Sequence, residues 1–519
     1  MESGVAMPHL LLGIDVGTTG SKALLVDENG TVRASATHEY PMYSPRPLWA
    51  EQTPGDWWDA TVLSIRDILS AGGIKPGEIA AIGLTGQMHG MVLTDARGSV
   101  LRPCIMWNDQ RTGAECSEIT RRVGEARVLE LTGNPILPGF TAPKIEWVRK
   151  NEPQIYRKVA KVLLPKDFVR FRLTGAFATD VADASGTSLF NVGKRAWSNE
   201  MLEALDIPPG WMADVTESEV LSGKVDARAA AATGLSEGTP VVAGAGDQAA
   251  QAVGTGIVQE GVISVTLGTS GVVFVTSNSY RVEPEGRLHA FCHAVPGKWH
   301  LMGVMLSAGG SLRWFRDALG DTEIGIANRD GRDPYELLSE GAARVPAGSE
   351  GLLFLPYLTG ERTPYPNPNA RAVFFGLTVR HTRRHMTRAV LEGVTFGLRD
   401  SLELAKELGV EAREIRASGG GARSALWRQI MADIFGTEIT TVNVTEGAAY
   451  GAALLAGVGS NVFGSVDEAC KRVVTTTGSI RPGASQGIYD SYYKRYRALY
   501  RALEGEFDAI ARVTAAHPE

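Results

Sequence analysis

Apolar positions near the start of the chain fall into short runs that are separated by turn-forming residues. Residues 9–40 read as strand, Gly-Thr turn, strand, Asn-Gly turn and strand. Asn29-Gly30 between two apolar runs is a strong signal for a β-hairpin. A helix is predicted next, because Thr53 fits its cap position and Pro54 fits its first helical position.

The same hairpin pattern occurs a second time, much later in the chain. In residues 15–27 and again in 266–277, two apolar strands flank a turn that reads Gly-Thr-Thr or Gly-Thr-Ser. From residue 386 onward, helical and strand patterns alternate, which predicts α/β layers around a mixed sheet. We therefore predict an internal duplication into residues 1–257 and 258–519, with a cleft between the two halves.

The last apolar pattern has helical spacing and is interleaved with basic residues. Tyr492, Tyr496, Leu499 and Leu503 fall on one face of a predicted helix. The basic side chains among them would suit nucleic acid, but a solvated face on a packing helix is the simpler interpretation. These basic residues are Lys494, Arg495, Arg497 and Arg501.

Composition narrows the classes of partner and compartment. The formal net charge of −6 gives no reason to expect nucleic acid or an anionic membrane as a partner. Four cysteines in 519 residues are too sparse for a disulfide framework. We find neither a signal peptide nor an apolar run long enough for a membrane helix. We therefore expect a cytoplasmic protein.

Two polar residues stand directly after short apolar strands. Asp247 follows the run PVVAGAG, where it could act as a general base for a hydroxyl or could cap the next helix. His89 lies near the end of the stretch LTGQMHG, and its local pattern fits a catalyst, a substrate contact, a metal ligand or a structural residue. The residue pattern alone leaves these alternatives open.

Glycine-rich turns supply candidate sites for phosphate and nucleotide. The chain has no P-loop motif, but two facing Gly-Thr turns could cradle a polyphosphate through backbone N–H groups. Lys22 adds a cation near the first turn, and Asp15 just before it could hold hydrated Mg²⁺. The three glycines at 419–421 suit either a flat ligand or close packing of the backbone.

Longer motifs carry a resemblance to a known family. The chain resembles the FGGY carbohydrate kinases from residue 11 to about residue 456, and Gly139, Thr141 and Lys144 fall in one of the two family signatures. The resemblance implies two actin-like (ribonuclease H-like) α/β domains with ATP in a central cleft. The motifs include GIDVGTTGSKALLVD, GQMHG, MWNDQRT, GAGDQAAQAVG, SVTLGTSG, FLPYLTGERTP and GGGARSALWRQIMADIFG.

The resemblance also implies roles for individual residues. It makes Asp247 the catalytic base and associates Asp15 with Mg²⁺ through water. The sugar would contact residues on both sides of Asp247, and ATP would contact the two Gly-Thr turns and the segments near them. The implied sugar-binding residues are Met88, His89, Trp107, Asp109, Asp247 and Gln248. The implied ATP-binding residues are Gly17, Thr18, Thr19, Lys22, Gly268, Thr269, Ser270, Gly309, Trp314, Gly420, Gly421 and Ser424.

The expected activity is ATP-dependent phosphorylation of D-xylulose at its C5 hydroxyl, with ATP and Mg²⁺ as cofactors. Gln248 stands where an Asn follows the base in similar sequences, so another small ketose or a polyol is the alternative substrate. A non-catalytic regulator that binds sugar and nucleotide is a further alternative. The expected partners are sugar and ATP, without nucleic acid or membrane, and the sequence leaves a homodimer open.

Overall fold

A computed structural model of the protein describes residues 9–71 and 73–517. Two seven-stranded sheets organise these residues, one in each half of the chain. Helices cover both sheets, so the architecture is α/β with mixed sheets, as the alternating pattern predicts. Five further pairs of short strands lie outside the two sheets. They are Glu51–Gln52 with Cys104–Ile105, Val92–Thr94 with Lys161–Leu163, Ala178–Asp180 with Asp214–Thr216, Phe190–Asn191 with Ala196–Trp197, and Leu353–Leu355 with Val373–Phe375.

The first sheet is built around the strand Leu10–Val16. This strand is almost entirely buried, as expected for an apolar run at the centre of a sheet covered on both faces. It pairs antiparallel with Gly20–Asp27 and parallel with Ile79–Gly86, and Ala245–Gly246 also pairs with the latter. Across the sheet the strand order is Leu221–Lys224, Pro240–Val242, Ile79–Gly86, Leu10–Val16, Gly20–Asp27 and Val32–Glu39.

The second sheet repeats the arrangement at the centre of the first. Val262–Leu267 pairs antiparallel with Gly271–Ser277 and parallel with Glu414–Ser418. The predicted repetition of one hairpin at the start of each half is therefore confirmed. Across this sheet the strand order is His289–Cys292, Trp299–Met305, Gly271–Ser277, Val262–Leu267, Glu414–Ser418, Ile439–Val442 and Thr476–Ile480.

The helices begin with Pro54–Ala71, which starts at the predicted proline. In the part of the chain that the structure describes, no helix combines the length and apolarity needed to cross a bilayer. The other helices of the first half are Gly113–Val123, Glu125–Thr132, Thr141–Asn151, Pro153–Tyr156, Pro165–Thr174, Val181–Ala184, Asn199–Ala204, Ala227–Thr233 and Asp247–Gly254. Those of the second half are Gly309–Leu319, Asp321–Asp330, Pro334–Ala343, Arg383–Glu407, Ala425–Phe435, Gly447–Gly459, Val466–Val473 and Gln486–Ala516.

The helix Gly447–Gly459 comes from the second half of the chain but packs on the sheet of the first half. It lies against Leu10–Val16, Ile79–Gly86 and the helix Asp247–Gly254. The close approach requires glycine, because a Cβ at Gly83 would collide with the carbonyl of Ala452. This packing connects the second half of the chain to the helix that begins at Asp247.

The C-terminal helix Gln486–Ala516 packs its tyrosine-rich face on the core of the second half. Tyr496 and Leu499 are buried as predicted, whereas Tyr492 and Leu503 are only partly buried at the margin of that face. Its buried side chains are Tyr489, Tyr493, Tyr496, Leu499, Tyr500 and Phe507. Lys494, Arg495 and Arg501 are exposed, which agrees with a solvated face.

Candidate active site

The ends of neighbouring strands in the first sheet bring the candidate polar residues to one edge. Asp15 lies opposite Thr85 in the parallel pair, and Met88 and His89 follow shortly after the end of the strand Ile79–Gly86. Gly246 pairs with Gly86, so Asp247 leaves the sheet at the same edge. Ligands of open α/β sheets bind at the carboxyl ends of strands, so this edge is the candidate site.

Two carboxyl groups, those of Asp247 and Asp15, lie near each other at this edge. Asp247 is the first residue of its helix, and Gln248 Nε2 donates to its Oδ1 at 3.4 Å. Burial and the charge of Asp15 raise the pKa of Asp247 to about 7, and burial raises the pKa of Asp15 to about 6. Both groups can therefore exchange a proton near neutral pH.

The first Gly-Thr turn is a rigid loop at the end of the strand Leu10–Val16. Gly17 N donates to Gly20 O at 3.0 Å and closes the turn. The carbonyl of Gly17 accepts from Tyr40 Oη at 2.6 Å and from Gln87 Nε2 at 3.3 Å, which fixes its orientation. Lys22 forms an ion pair with Glu446, the residue before the helix Gly447–Gly459.

The second Gly-Thr turn, residues 268–270, is joined to the start of a helix. Gly309 N donates to Gly268 O at 2.8 Å, and Gly310 N donates to Thr269 O at 3.0 Å. A Cβ at Gly309 would lie 2.5 Å from that Gly268 oxygen, so the contact requires glycine. The positive end of the helix Gly309–Leu319 therefore faces the turn, an arrangement that favours anions.

The three-glycine segment lies beside the same turn. Thr266 and Ser418 hydroxyls are 3.0 Å apart at the ends of adjacent strands, which places residues 419–421 next to 268–270. Gly420 is exposed, and Ser424 caps the helix Ala425–Phe435. Bare backbone is thus available to a flat ligand here. Trp314, 37% exposed, lies one helical turn beyond Gly310.

His89 occupies a constrained position with defined hydrogen bonding. Its φ of +66° lies in the left-handed region, and its ring stacks on Phe140 with centroids 4.3 Å apart. Nδ1 donates to Gly186 O at 2.7 Å. Burial lowers the pKa of His89 to about 3, so the ring is neutral and Nε2 is an acceptor. His89 therefore suits the binding of a hydroxyl group.

Met88 connects His89 to the segment that carries Asp247. A Cβ at Gly246 would lie 2.8 Å from Met88 Cγ, so the two segments are in close contact. Met88 is buried and packs with Phe140, Phe291 and Met302. The chain thus places an apolar wall between His89 and the candidate base.

Trp107 and Asp109, the two predicted residues of one segment, lie in different environments. Trp107 is 40% exposed, and its Nε1 donates to Thr18 Oγ1 at 3.1 Å, beside the first Gly-Thr turn. Asp109 is fully buried and accepts from Ala50 N at 2.7 Å and from the Arg111 guanidinium. These internal bonds use both oxygens of Asp109, which makes it a support for the Trp107 loop.

The order of these features along the chain matches one family over most of its length. Residues 10–254 match the N-terminal domain of the FGGY family of carbohydrate kinases, and residues 263–460 match its C-terminal domain. The chain belongs to the FGGY family. It is an ATP-dependent carbohydrate kinase, a phosphotransferase that acts on an alcohol group.

Individual relatives of this carbohydrate kinase agree with the family assignment. The chain is 41% identical to the xylulose kinase of Escherichia coli K12, over 95% of this chain and 99% of that protein. The gluconokinase of Bacillus subtilis 168 is 33% identical, over 97% and 98% of the two chains. The crystal structure of xylulose kinase from Rhodospirillum rubrum superposes with a TM-score of 0.90 at 32% identity, covering 96% of this chain and 100% of that chain.

Lys144 and Thr141 support His89 in this FGGY kinase, a role that residue patterns did not reveal. Lys144 Nζ donates to His89 O at 2.9 Å and to Gly139 O at 2.7 Å, and Thr141 Oγ1 donates to His89 O at 3.1 Å. Burial lowers the pKa of Lys144 to about 7. Gly139, Thr141 and Lys144 all lie in one family signature, and that signature was the available signal. It does not show that Thr141 and Lys144 bond to the carbonyl of His89.

A buried charge cluster behind Met88 was also missed. Lys166 Nζ lies 2.6 Å from Asp167, 2.8 Å from Asp180 and 3.4 Å from Asp183, and all four side chains are at most 1% exposed. A Cβ at Gly246 would lie 3.3 Å from Asp183 Oδ1. The cluster therefore supports the segment that carries the candidate base. Its members come from two helices and the strand between them, and no local pattern shows that their side chains meet.

Proposed function

We propose that this kinase transfers the γ-phosphoryl group of ATP to the C5 hydroxyl of D-xylulose. The observation that supports this proposal most directly is the position of Asp247 at the carboxyl ends of the central strands. The first Gly-Thr turn and the segment with Met88 and His89 follow the same strand ends. A sugar lying along this edge would place one hydroxyl close to Asp247 and the phosphate-binding turns, and another hydroxyl close to His89. The identities to xylulose kinases over nearly full length support the choice of sugar.

Asp247 would act as the general base in this reaction. A carboxylate whose pKa is about 7 is ionised in about half of the molecules at neutral pH and is more basic than an exposed aspartate. It would accept the proton of the C5 hydroxyl as the oxygen attacks the γ-phosphorus. The Gln248 amide, which already donates to Asp247, would keep the carboxylate oriented.

The two Gly-Thr turns would hold the phosphates of ATP. Backbone N–H groups of Thr18, Thr19 and residues 268–270 would supply donors to a polyanion, and the positive end of the dipole of the helix Gly309–Leu319 would favour its charge. Lys22 would exchange its contact with Glu446 for a phosphate oxygen. Adenine and ribose would lie on Gly420, Gly421 and Ser424, and Trp314 would flank the nucleotide.

The Asp15 carboxyl group fits a role in holding Mg²⁺ through water. Its buried Oδ1 has no hydrogen-bond partner among the described residues, which leaves an acceptor available to a metal-bound water. Mg²⁺ is commonly held by one or two carboxylates together with substrate phosphates, and when bound it neutralises charge on the β- and γ-phosphates. We propose this role for Asp15 on that basis.

The sugar-binding residues would include Met88, His89, Trp107 and Gln248. His89 Nε2 would accept from a sugar hydroxyl, and Trp107 would cover the sugar beside Thr18. Asp109 would act through the loop that it holds, because its oxygens bond to Ala50 and Arg111. We also propose that the two functional halves divide near residue 257.

A kinase for a different small ketose, a polyol or a sugar acid is the second candidate. Gln248 reaches one methylene further than Asn, and a gluconokinase lies among the similar proteins. A panel assay of ADP release separates these candidates, with D-xylulose, D-ribulose, xylitol, glycerol and gluconate each tested at equal concentration. We expect the highest kcat/KM for D-xylulose. A higher value for any other acceptor would replace D-xylulose as the substrate.

A further inference from the structure

Arg362 is fixed next to a strand that reaches the sugar side of the cleft. Thr363 N donates to Val304 O at 3.1 Å, and Val304 N donates to Thr363 Oγ1 at 3.2 Å. On the other side, Leu306 N donates to Glu361 Oε1 at 3.0 Å. Residues 361–363 are therefore held along the end of the strand Trp299–Met305.

That strand carries side chains of the apolar cluster that surrounds His89. Met302 packs with Met88 and Phe140, and Val304 packs against the same cluster. Phe140 in turn stacks on the His89 ring. The Arg362 charge is close enough to lower the pKa of His89, in addition to the effect of burial. The second half of the chain thus brings a cation towards the His89 end of the site.

The guanidinium of Arg362 has no acceptor from the protein. Among the described residues, it takes part in no ion pair or side-chain hydrogen bond, although Arg362 is partly buried. The neighbouring Glu361 accepts from Leu306 N and Arg362 N, and burial raises its pKa to about 8. A protonated Glu361 does not neutralise Arg362. A partly buried cation without a protein partner keeps its donors available to an acceptor that a ligand supplies.

We propose that Arg362 binds the carbonyl oxygen of the ketose, at the end of the sugar away from Asp247. The proposal rests on the proposed function. A guanidinium only donates hydrogen bonds and a carbonyl oxygen only accepts them, whereas His89 Nε2 accepts from a hydroxyl. Arg362 and His89 together therefore match a carbonyl next to hydroxyl groups. The contact also joins the two halves of the chain across the bound sugar.

The test compares Arg362→Met with wild-type enzyme on D-xylulose and on xylitol, in which the carbonyl is reduced to a hydroxyl. The variant leaves the carbonyl without a donor, so kcat/KM for D-xylulose should fall about 10- to 150-fold. The kcat/KM for xylitol should fall less, because the hydroxyl that replaces the carbonyl can rotate and donate to another group. The KM for ATP should stay unchanged. Arg362→Lys keeps the charge without the planar fork and should be intermediate.

Arg329→Met is the matched control, because Arg329 lies on a surface helix with its side chain 72% exposed. Thermal unfolding of each variant checks the fold. An unchanged KM for D-xylulose in Arg362→Met, or equal losses on D-xylulose and xylitol, would overturn the proposal. If the wild-type enzyme turns over gluconate but not D-xylulose, the proposed function itself is wrong, and the carbonyl assignment falls with it.

Discussion

At the scale of single residues, the site depends on how burial changes the acidity of a few side chains. Burial raises the pKa of Asp247 and lowers that of His89, so an ionisable base and a neutral acceptor lie at the same strand edge. Sequence position alone left both residues with several possible roles. The hydrogen bond from His89 Nδ1 to Gly186, which sets the acceptor at Nε2, depends on a contact that no local pattern predicts.

The pH dependence of the free enzyme should report the ionisation of Asp247. Only the deprotonated carboxylate accepts a proton, and its pKa is about 7. We expect kcat/KM for D-xylulose to fall as the pH decreases below about 7, approaching tenfold per pH unit. Steady-state rates from pH 5 to pH 9 measure this dependence. A flat profile between pH 5 and pH 8 would exclude Asp247 as a base with this pKa.

Replacement of His89 by Ala should affect the sugar more than the nucleotide. The loss of one hydrogen bond to a neutral hydroxyl should raise the KM for D-xylulose about 3- to 10-fold. The KM for ATP should stay within error of the wild-type value. His38→Ala is the control, since His38 bonds to Asp67 on the surface. An increase in the ATP KM with an unchanged sugar KM would contradict the role assigned to His89.

At the scale of elements, the two central hairpins and the helix Gly447–Gly459, which packs on the sheet of the first half, position the site. The hairpins were predictable, because each consists of two apolar strands around a Gly-Thr turn. The packing of Gly447–Gly459 on the first sheet was not, because it joins elements more than 400 residues apart. The charge cluster around Lys166 likewise assembles from separate helices and strands.

Substitution of Gly451 tests the close contact between the helices Gly447–Gly459 and Asp247–Gly254. A Cβ at Gly451 would collide with the carbonyl of Ala250. We expect Gly451→Ala to destabilise the protein by about 1–3 kcal/mol, despite the higher helix propensity of Ala. Gly505 lies in a helix with open space around it, so Gly505→Ala should be neutral or stabilising. Equal shifts in melting temperature for both variants would contradict this packing.

Substitution of Lys166 tests whether this residue neutralises the buried charge cluster behind Met88. Lys166→Met leaves Asp180 and Asp183 without their cation, while Asp167 keeps its ion pair with Arg170, and this should cost about 3–5 kcal/mol at pH 7. The loss should shrink at pH 5, because protonation removes the uncompensated charges. Urea unfolding at both pH values measures the effect, with the exposed Lys158→Met as control. The same small loss in both variants would mean that Lys166 does not neutralise the cluster.

At the scale of the whole molecule, the second half of the chain repeats the central strand arrangement of the first and supplies the second Gly-Thr turn. Fold class, duplication and the residues of both turns were accessible from the sequence, because they depend on local motifs. The supporting roles of Lys144 and Lys166 were not, because they depend on contacts between separate elements of the fold. The burial of Asp109 is another result that only the packed structure provides.

The central claim is that Asp247 activates a sugar hydroxyl for phosphorylation by ATP. Its most direct test measures ADP release with D-xylulose for wild-type enzyme and for Asp247→Ala, with ATP binding measured in parallel. We predict turnover by wild type and a loss of about 10²–10⁴-fold in the variant, with ATP affinity retained. Activity of the variant close to wild type, or no ADP release by wild type with D-xylulose, would contradict the claim.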